Sequence, residues 1–190
     1  MPPFYQGKLD VFCAVYAVLN GFRQLHGISA WQAKTMFADL LVRLPEEDPE
    51  RWRACVRNQT DYCWLVEYLL RAYSETFPVR WVLPWGHAGS AEVSPHEFWQ
   101  TLSLWLEEGQ TRTALFRFHR FVPEHNDPVV SHWTTADKLL GETLFLYDSS
   151  REENALHSLE FGEFVTRRKD CSLGRCVQVE PESLFLLTRS

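Results

Sequence analysis

The sequence lacks the features that mark membrane-spanning, secreted and nucleic-acid-binding proteins. No run of about 18 apolar residues occurs, and the opening MPPFYQGKLD lacks the basic-then-apolar order of a secretory signal. The net charge is −6 and the one basic cluster is Arg167-Arg168-Lys169, so a broad basic surface for phosphate groups is missing. We therefore expect a cytoplasmic protein without a membrane or nucleic-acid partner.

Cysteine is also scarce, with five residues in a chain of 190. An odd number in a chain without a secretory signal favours reduced thiols over a disulfide framework. Cys171 and Cys176 form the one close pair, but no second pair follows at the spacing of a zinc site. The sequence therefore predicts neither a metal nor another cofactor.

What is present suits one compact domain covering residues 1–190. Apolar residues make up 45% of the chain and aromatic residues 14%, which is enough to fill a single core. No internal repeat or linker divides the sequence.

Helix signals come first along the chain and strand signals follow. Capping boxes at Ser29 and Ser94 predict helices to about Arg43 and Gly109, and a 3.6-residue apolar period predicts another over 61–74. The β-rich stretches are 77–83, 111–121, 129–137, 142–147 and 183–189. This order predicts an α+β fold, in which an N-terminal helical part packs on a C-terminal antiparallel sheet.

Cys13 is predicted to lie in the first turn of a buried helix that stops at Gly27. The residues after it, Ala-Val-Tyr-Ala-Val-Leu, are apolar on every side, as in a helix that runs through a core. The positive end of the helix dipole favours a thiolate over a thiol. Cys13 is therefore a candidate nucleophile.

A cysteine nucleophile needs an imidazole to take its proton and a third group to orient the ring. A three-residue connection, Leu139-Leu140-Gly141, would pair Lys138 with Glu142 and place His132 opposite Asp148. A two-residue turn would instead place Ser149 opposite His132.

His119 is the reserve candidate for the base. Pairing His119 with Asp148 would require a turn at Trp133-Thr134, where no turn residue occurs. The other histidines are interpreted as surface or capping residues. Trp133 either shields the imidazole–carboxylate pair from water or belongs to the core.

Gln6 lies on the segment that leads into the Cys13 helix. A side-chain amide there, together with a backbone N–H near the nucleophile, would stabilise the oxyanion formed by attack on a carbonyl. Asp10, on the same segment, is interpreted as a cap of the helix.

These residues resemble the papain-like cysteine peptidase superfamily, and by size and spacing its bacterial branch that includes the bacteriocin-leader peptidase domains. The resemblance is carried by Gln6, by Cys13 at a helix start, by His132 in Ser-His-Trp and by Asp148 in Leu-Tyr-Asp-Ser. It implies a papain-like fold with Gln6 as the oxyanion residue, Cys13 as the nucleophile, His132 as the base and then the acid, and Asp148 as the orienter.

The expected function is a peptidase or isopeptidase-like hydrolase that forms a thioester on Cys13 and acts on a peptide or protein. Interception of the same thioester by an amine or a thiol would give an acyl transferase, a transglutaminase or a deamidase. An inactive relative that binds a peptide or protein in the cleft is the alternative from another class. The sequence does not determine the oligomeric state.

Overall fold

The computed structural model describes residues 2–6, 11–60, 62–86, 92–109, 111–122, 127–150, 155–171 and 176–190. Within them the chain is α+β, as the sequence predicts: helices lead and a sheet follows. The helices are α1 (Cys13–His26), α2 (Ala30–Glu47), α3 (Pro49–Val56), α4 (Cys63–Tyr73) and α5 (Pro95–Glu107). The strands are β1 (Val79–Val82), β2 (Arg112–Phe121), β3 (Val130–Leu140), β4 (Thr143–Leu146), β5 (Ser158–Glu160), β6 (Phe164–Val165), β7 (Cys176–Val179) and β8 (Phe185–Arg189).

The predicted helix starts and stops are confirmed at three ends. Ser29 and Ser94 each form a complete capping box, and Gly27 ends α1 with a φ of 66°. The predicted end of α2 near Arg43 is wrong, because Pro45 lies inside the last turns, where its fixed φ suits a helix and only one backbone hydrogen bond is lost. The polar stretch that follows contains α3, which the sequence pattern did not predict.

The sheet has the order β1-β8-β2-β3-β4-β5, with every neighbouring pair antiparallel. At the far end of β2, β7 pairs antiparallel with residues 118–121, and β6 pairs parallel with β7. The strands β5, β6 and β7 were not predicted; β5 and β6, with three and two residues, are too short to show an alternating pattern.

The predicted register of the β3–β4 hairpin is wrong. Leu140 pairs with Thr143, so the connection is the two-residue turn Gly141-Glu142, and a bulge interrupts the pairing between Ala136 and Lys138. Gly141 does adopt the positive φ expected of it, at 60°. Sequence alone could not place the bulge, which adds one unpaired residue to β3.

The sheet carries a core on each face. On one face α1 packs against the strands and shares a core with α2 and α4, to which the sheet contributes Leu115, Trp133 and Phe185. On the other face packs α5, with Phe116 and Leu144. At Gly21 an added Cβ would lie 3.4 Å from Leu115 Cδ2, so α1 approaches the sheet closely. Within the described residues, no helix combines the length and the apolar character that crossing a membrane requires.

A disulfide joins Cys171 to Cys176, so the prediction of reduced thiols throughout is wrong at this pair. The start of β7 lies beside the end of a short 3-10 helix, Arg168–Asp170, and this brings the two Cα atoms to 5.7 Å, within disulfide range. Cys13, Cys55 and Cys63 are not in disulfides, and all three are buried.

Candidate active site

Cys13 is the first residue of α1, as predicted. Phe12 is the N-cap residue and provides no side-chain cap; its ring packs against Phe37 and Trp52, with centroids 5.6 and 5.7 Å away. Aromatic packing therefore fixes the start of this helix. Only 9% of the Cys13 surface is exposed. The predicted capping residue Asp10 lies outside the described residues.

His132 and Asp148 form the predicted pair. His132 Nε2 lies 3.2 Å from Asp148 Oδ2, and the two residues are 8% and 4% exposed. The other carboxylate oxygen, Oδ1, accepts a 2.6 Å hydrogen bond from the backbone N–H of Ser150. Ser149 Oγ, which a different turn would have placed opposite the ring, is 3.5 Å from Nε2.

The pair forms although its predicted hairpin register is wrong. Pairing of β3 with β4 begins only at Ala136, so His132 lies beyond the paired part of that hairpin. The chain leaves β4 at Leu146, and the Tyr147 N–H donates a 2.7 Å hydrogen bond to the Thr135 carbonyl, which keeps the following residues beside β3. Asp148 reaches the ring from this irregular segment and not from a facing strand position.

Hydrogen bonding and charge at the site oppose the effect of burial. Burial by itself lowers the pKa of His132, but hydrogen bonds to Asp148 and Cys13, with the negative charges these groups can carry, raise it to about 10. Burial likewise raises the pKa of Asp148, while the hydrogen bond and positive charge of His132 hold it below its usual value. The site thus favours an imidazolium beside a carboxylate.

The ring orientation assigns a separate partner to each nitrogen. Because Nε2 faces Asp148, Nδ1 is the nitrogen that remains for the interaction of His132 with the Cys13 thiol. A base held between a nucleophile and a carboxylate is the arrangement used in nucleophilic catalysis of acyl transfer.

The N-terminal arm, residues 2–6, brings Gln6 to the same region. The Gln6 N–H donates a 2.9 Å hydrogen bond to the carbonyl of Ser149, the residue after Asp148. Phe4, two residues before Gln6, is bonded to Asn20 of α1. Asn20 Oδ1 accepts a 2.7 Å hydrogen bond from the Phe4 N–H, and Asn20 Nδ2 donates a 3.2 Å hydrogen bond to the Phe4 carbonyl. The arm therefore follows α1 back towards Cys13.

An open groove of about 450 Å³ lies between the arm and the first two helices. Tyr5 lines it beside Gln6, Tyr16 one turn after Cys13, and Phe37 from α2. Most of the lining residues are apolar or aromatic, and Lys34 adds a charged group.

The sequence interpretation missed two residues that position this site. Asn20 is completely buried in the apolar first part of α1, and Thr135 is buried in β3, where its Oγ1 donates a 2.9 Å hydrogen bond to the Ala17 carbonyl of α1. A polar residue within an apolar run of the helix was the available signal for Asn20, since buried amides need hydrogen-bond partners. The partner of Thr135 depends on long-range packing, which no local pattern indicates.

The positions of Trp133 and His119 in the structure decide two alternatives that the sequence left open. Trp133 is 1% exposed and packs on Phe185 in the core, with ring centroids 6.0 Å apart. The reserve candidate His119 does not pair with Asp148, because its ring nitrogens contact Ser131 and Glu180. Across the described residues, no cluster of three or more His, Cys, Asp or Glu side chains is arranged to hold a metal ion.

Comparison with known proteins adds no relative: no family model matches the chain, and neither a curated protein nor a solved structure matches it significantly.

Proposed function

We propose that this protein is a papain-like cysteine hydrolase that cleaves amide bonds in a peptide or protein substrate. The observation that carries the proposal is the position of His132, whose ring lies 3.2 Å from the buried carboxylate of Asp148 and interacts with the thiol of Cys13. A buried imidazole between a nucleophile and a carboxylate is costly to maintain for structure alone, because charged groups lose hydration on burial.

In the proposed reaction, His132 holds the proton of Cys13 and the thiolate attacks the carbonyl carbon. A C–S bond forms, and the C–N bond of the tetrahedral intermediate then breaks as His132 delivers its proton to the leaving amine. Water attacks the thioester, giving up a proton to His132, and the C–S bond breaks to release the acid and restore the thiol.

Gln6 is proposed to stabilise the oxyanion of each tetrahedral intermediate, together with a backbone N–H at the start of α1. The support is its location: its backbone is bonded to Ser149, next to Asp148, on an arm that Asn20 anchors to α1. Such a donor typically contributes about 3 kcal/mol to transition-state stabilisation. The groove lined by Tyr5, Tyr16 and Phe37 offers room for apolar side chains of the substrate.

A peptide vinyl sulfone, which traps activated thiols, tests the assignment. Cys63 is an internal control, because it also begins a helix, is 7% exposed and is not in a disulfide. We expect the probe to modify Cys13 at least about a hundredfold faster than Cys63, as a base-assisted thiol should react. Peptide mapping that finds equal modification of the two residues, or none of Cys13, would overturn the proposal.

Product analysis separates hydrolysis from acyl transfer. Turnover of a peptide amide or ester in the presence of added glycinamide should yield the free acid. Accumulation of the glycinamide adduct instead would assign the thioester to a transferase.

A further inference from the structure

A second nucleophile-and-base arrangement joins β2, β3 and the residue after β7, and its hydrogen bonds do not involve Cys13, His132 or Asp148. Ser131 of β3 faces His119 of β2 in the sheet register, and facing residues project to the same side. Glu180 directly follows β7, which pairs with β2 along its other edge. Ser131 and His132 have different partners: Ser131 contacts His119, whereas His132 lies beside Asp148 and Cys13.

Both nitrogens of the His119 ring are engaged. Nδ1 lies 2.7 Å from Ser131 Oγ, and Nε2 is hydrogen-bonded to Glu180 Oε1. The other oxygen of Glu180 lies 3.6 Å from an Arg117 guanidinium nitrogen, which balances the charge of the carboxylate.

The chemistry of the partners sets the tautomer of the neutral ring. An ionised carboxylate only accepts hydrogen bonds, so Glu180 requires the proton to be on Nε2. Nδ1 then carries the lone pair, and it accepts the hydroxyl proton of Ser131. This is the logic of a serine hydrolase triad with the two ring nitrogens exchanged.

The nucleophile of this arrangement is accessible to solvent, and its base is largely buried. Ser131 is exposed at the start of β3, whereas the side chains of His119 and Glu180 are only 12% and 18% exposed. An incoming electrophile can therefore reach the hydroxyl, while the bonds that orient the ring are largely protected from water.

We propose that Ser131 is a second nucleophile, with His119 as its base, and that it accepts acyl groups from carboxylic esters. The Ser131 Oγ–C bond forms as the ester C–O bond breaks, and His119 takes the hydroxyl proton and delivers it to the leaving alkoxide. Water then attacks the acyl-serine and gives a proton to His119, and the ring passes that proton to Oγ as the Oγ–C bond breaks and the acid leaves. Glu180 is a positioning residue that holds the tautomer.

A fluorophosphonate probes this site in the full-length protein. Oγ attacks phosphorus, fluoride leaves, and the proton passes to His119, so the phosphonylated residue can be identified by peptide mapping. Ser29 is an internal control, because it is exposed and its hydroxyl is bonded to the Gln32 amide rather than to an imidazole. We expect Ser131 to be modified at least about a hundredfold faster than Ser29.

Two variants complete the test. His119→Asn should slow modification of Ser131 about a hundredfold, and Glu180→Gln should slow it while circular dichroism shows an unchanged fold. Modification of Ser131 no faster than that of Ser29, or at a rate that His119→Asn leaves unaltered, would overturn the proposal. These outcomes are independent of Cys13, whose modification is mapped to a different peptide.

Discussion

Thr135 donates a 2.9 Å hydrogen bond through Oγ1 to the carbonyl of Ala17, and this bond ties the helix that begins at Cys13 to the strand that carries His132. Ala17 lies just over one turn after Cys13, and Thr135 lies three residues after His132. The helix that carries the thiol and the strand that carries the ring are thus held together by a buried hydrogen bond close in sequence to both residues.

Thr135→Val keeps the shape of the side chain and removes the donor. We expect the free energy of unfolding to fall by about 1 kcal/mol, the usual net value of such a bond. Modification of Cys13 by the vinyl sulfone should slow by up to about a hundredfold, since small displacements of reacting groups are costly. Thr135→Ser, which retains the hydroxyl, is the matched control; a Thr135→Val rate equal to wild type would show that this bond does not set the geometry.

Asp148→Asn tests the orienting role of the carboxylate. An amide carries no negative charge, so it stabilises an imidazolium less than a carboxylate does. Its NH₂ group can also face the N–H of the His132 ring, and two donors cannot form a hydrogen bond. We expect the rate of Cys13 modification to drop about a hundredfold or more. Ser149→Ala removes the neighbouring hydroxyl and serves as the control. The orienting role fails if the two variants react alike.

The pKa values of His132 and Asp148 predict how the stability of the protein depends on pH. The pKa of His132 is raised from 6.5 to about 10 in the folded protein, so its stabilising contribution is complete below pH 6.5 and is lost as the pH rises towards 10. The pKa of Asp148 is lowered from 3.8, so its contribution is present above pH 3.8 and is lost as the pH falls through the folded value.

The free energy of unfolding should therefore be higher in wild type than in Asp148→Asn. The difference should be largest between about pH 4 and pH 6.5, where it should reach about 3 kcal/mol. The difference should shrink steadily as the pH approaches 10. Urea unfolding at several pH values measures it, and a difference that stays constant from about pH 5 to pH 9 would contradict the charged pair.

Gln6→Ala removes the proposed oxyanion donor but leaves the backbone hydrogen bond to Ser149 in place. We expect kcat for a peptide ester to fall about a hundredfold, with a much smaller change in KM, because the interaction is made mainly in the transition state. Pro2→Ala, at an exposed position of the same arm that does not line the groove, is the control for disturbance of the segment. Equal losses in the two variants would indicate that the arm acts only as structure.

Local signals were sufficient for much of this fold. The capping boxes at Ser29 and Ser94 and the glycine after α1 are complete within a few residues, so the sequence predicts those helix ends. The strands of β2 and β3 are long enough for their composition to identify them. Short strands such as β6, and the Cys171–Cys176 bond, depend on neighbours distant in sequence and were missed.

The candidate site was predicted more accurately than the path that builds it. His132 and Asp148 meet, but through a bulged hairpin and the segment after β4 rather than through the expected three-residue turn. Chemical pairing of an imidazole with a carboxylate predicted that these two residues meet, while the register depended on a bulge near Ala136 that carries no sequence signal. The contacts of Asn20 and Thr135 likewise arise only once the helix has docked.

The most direct measurement is the rate at which a peptide vinyl sulfone modifies Cys13 in wild type and in His132→Gln, with Cys63 followed in the same samples. If the imidazole activates the thiol, the rate at Cys13 falls about a hundredfold or more in the variant while the rate at Cys63 is unchanged. Equal rates at Cys13 in the two proteins would contradict the account.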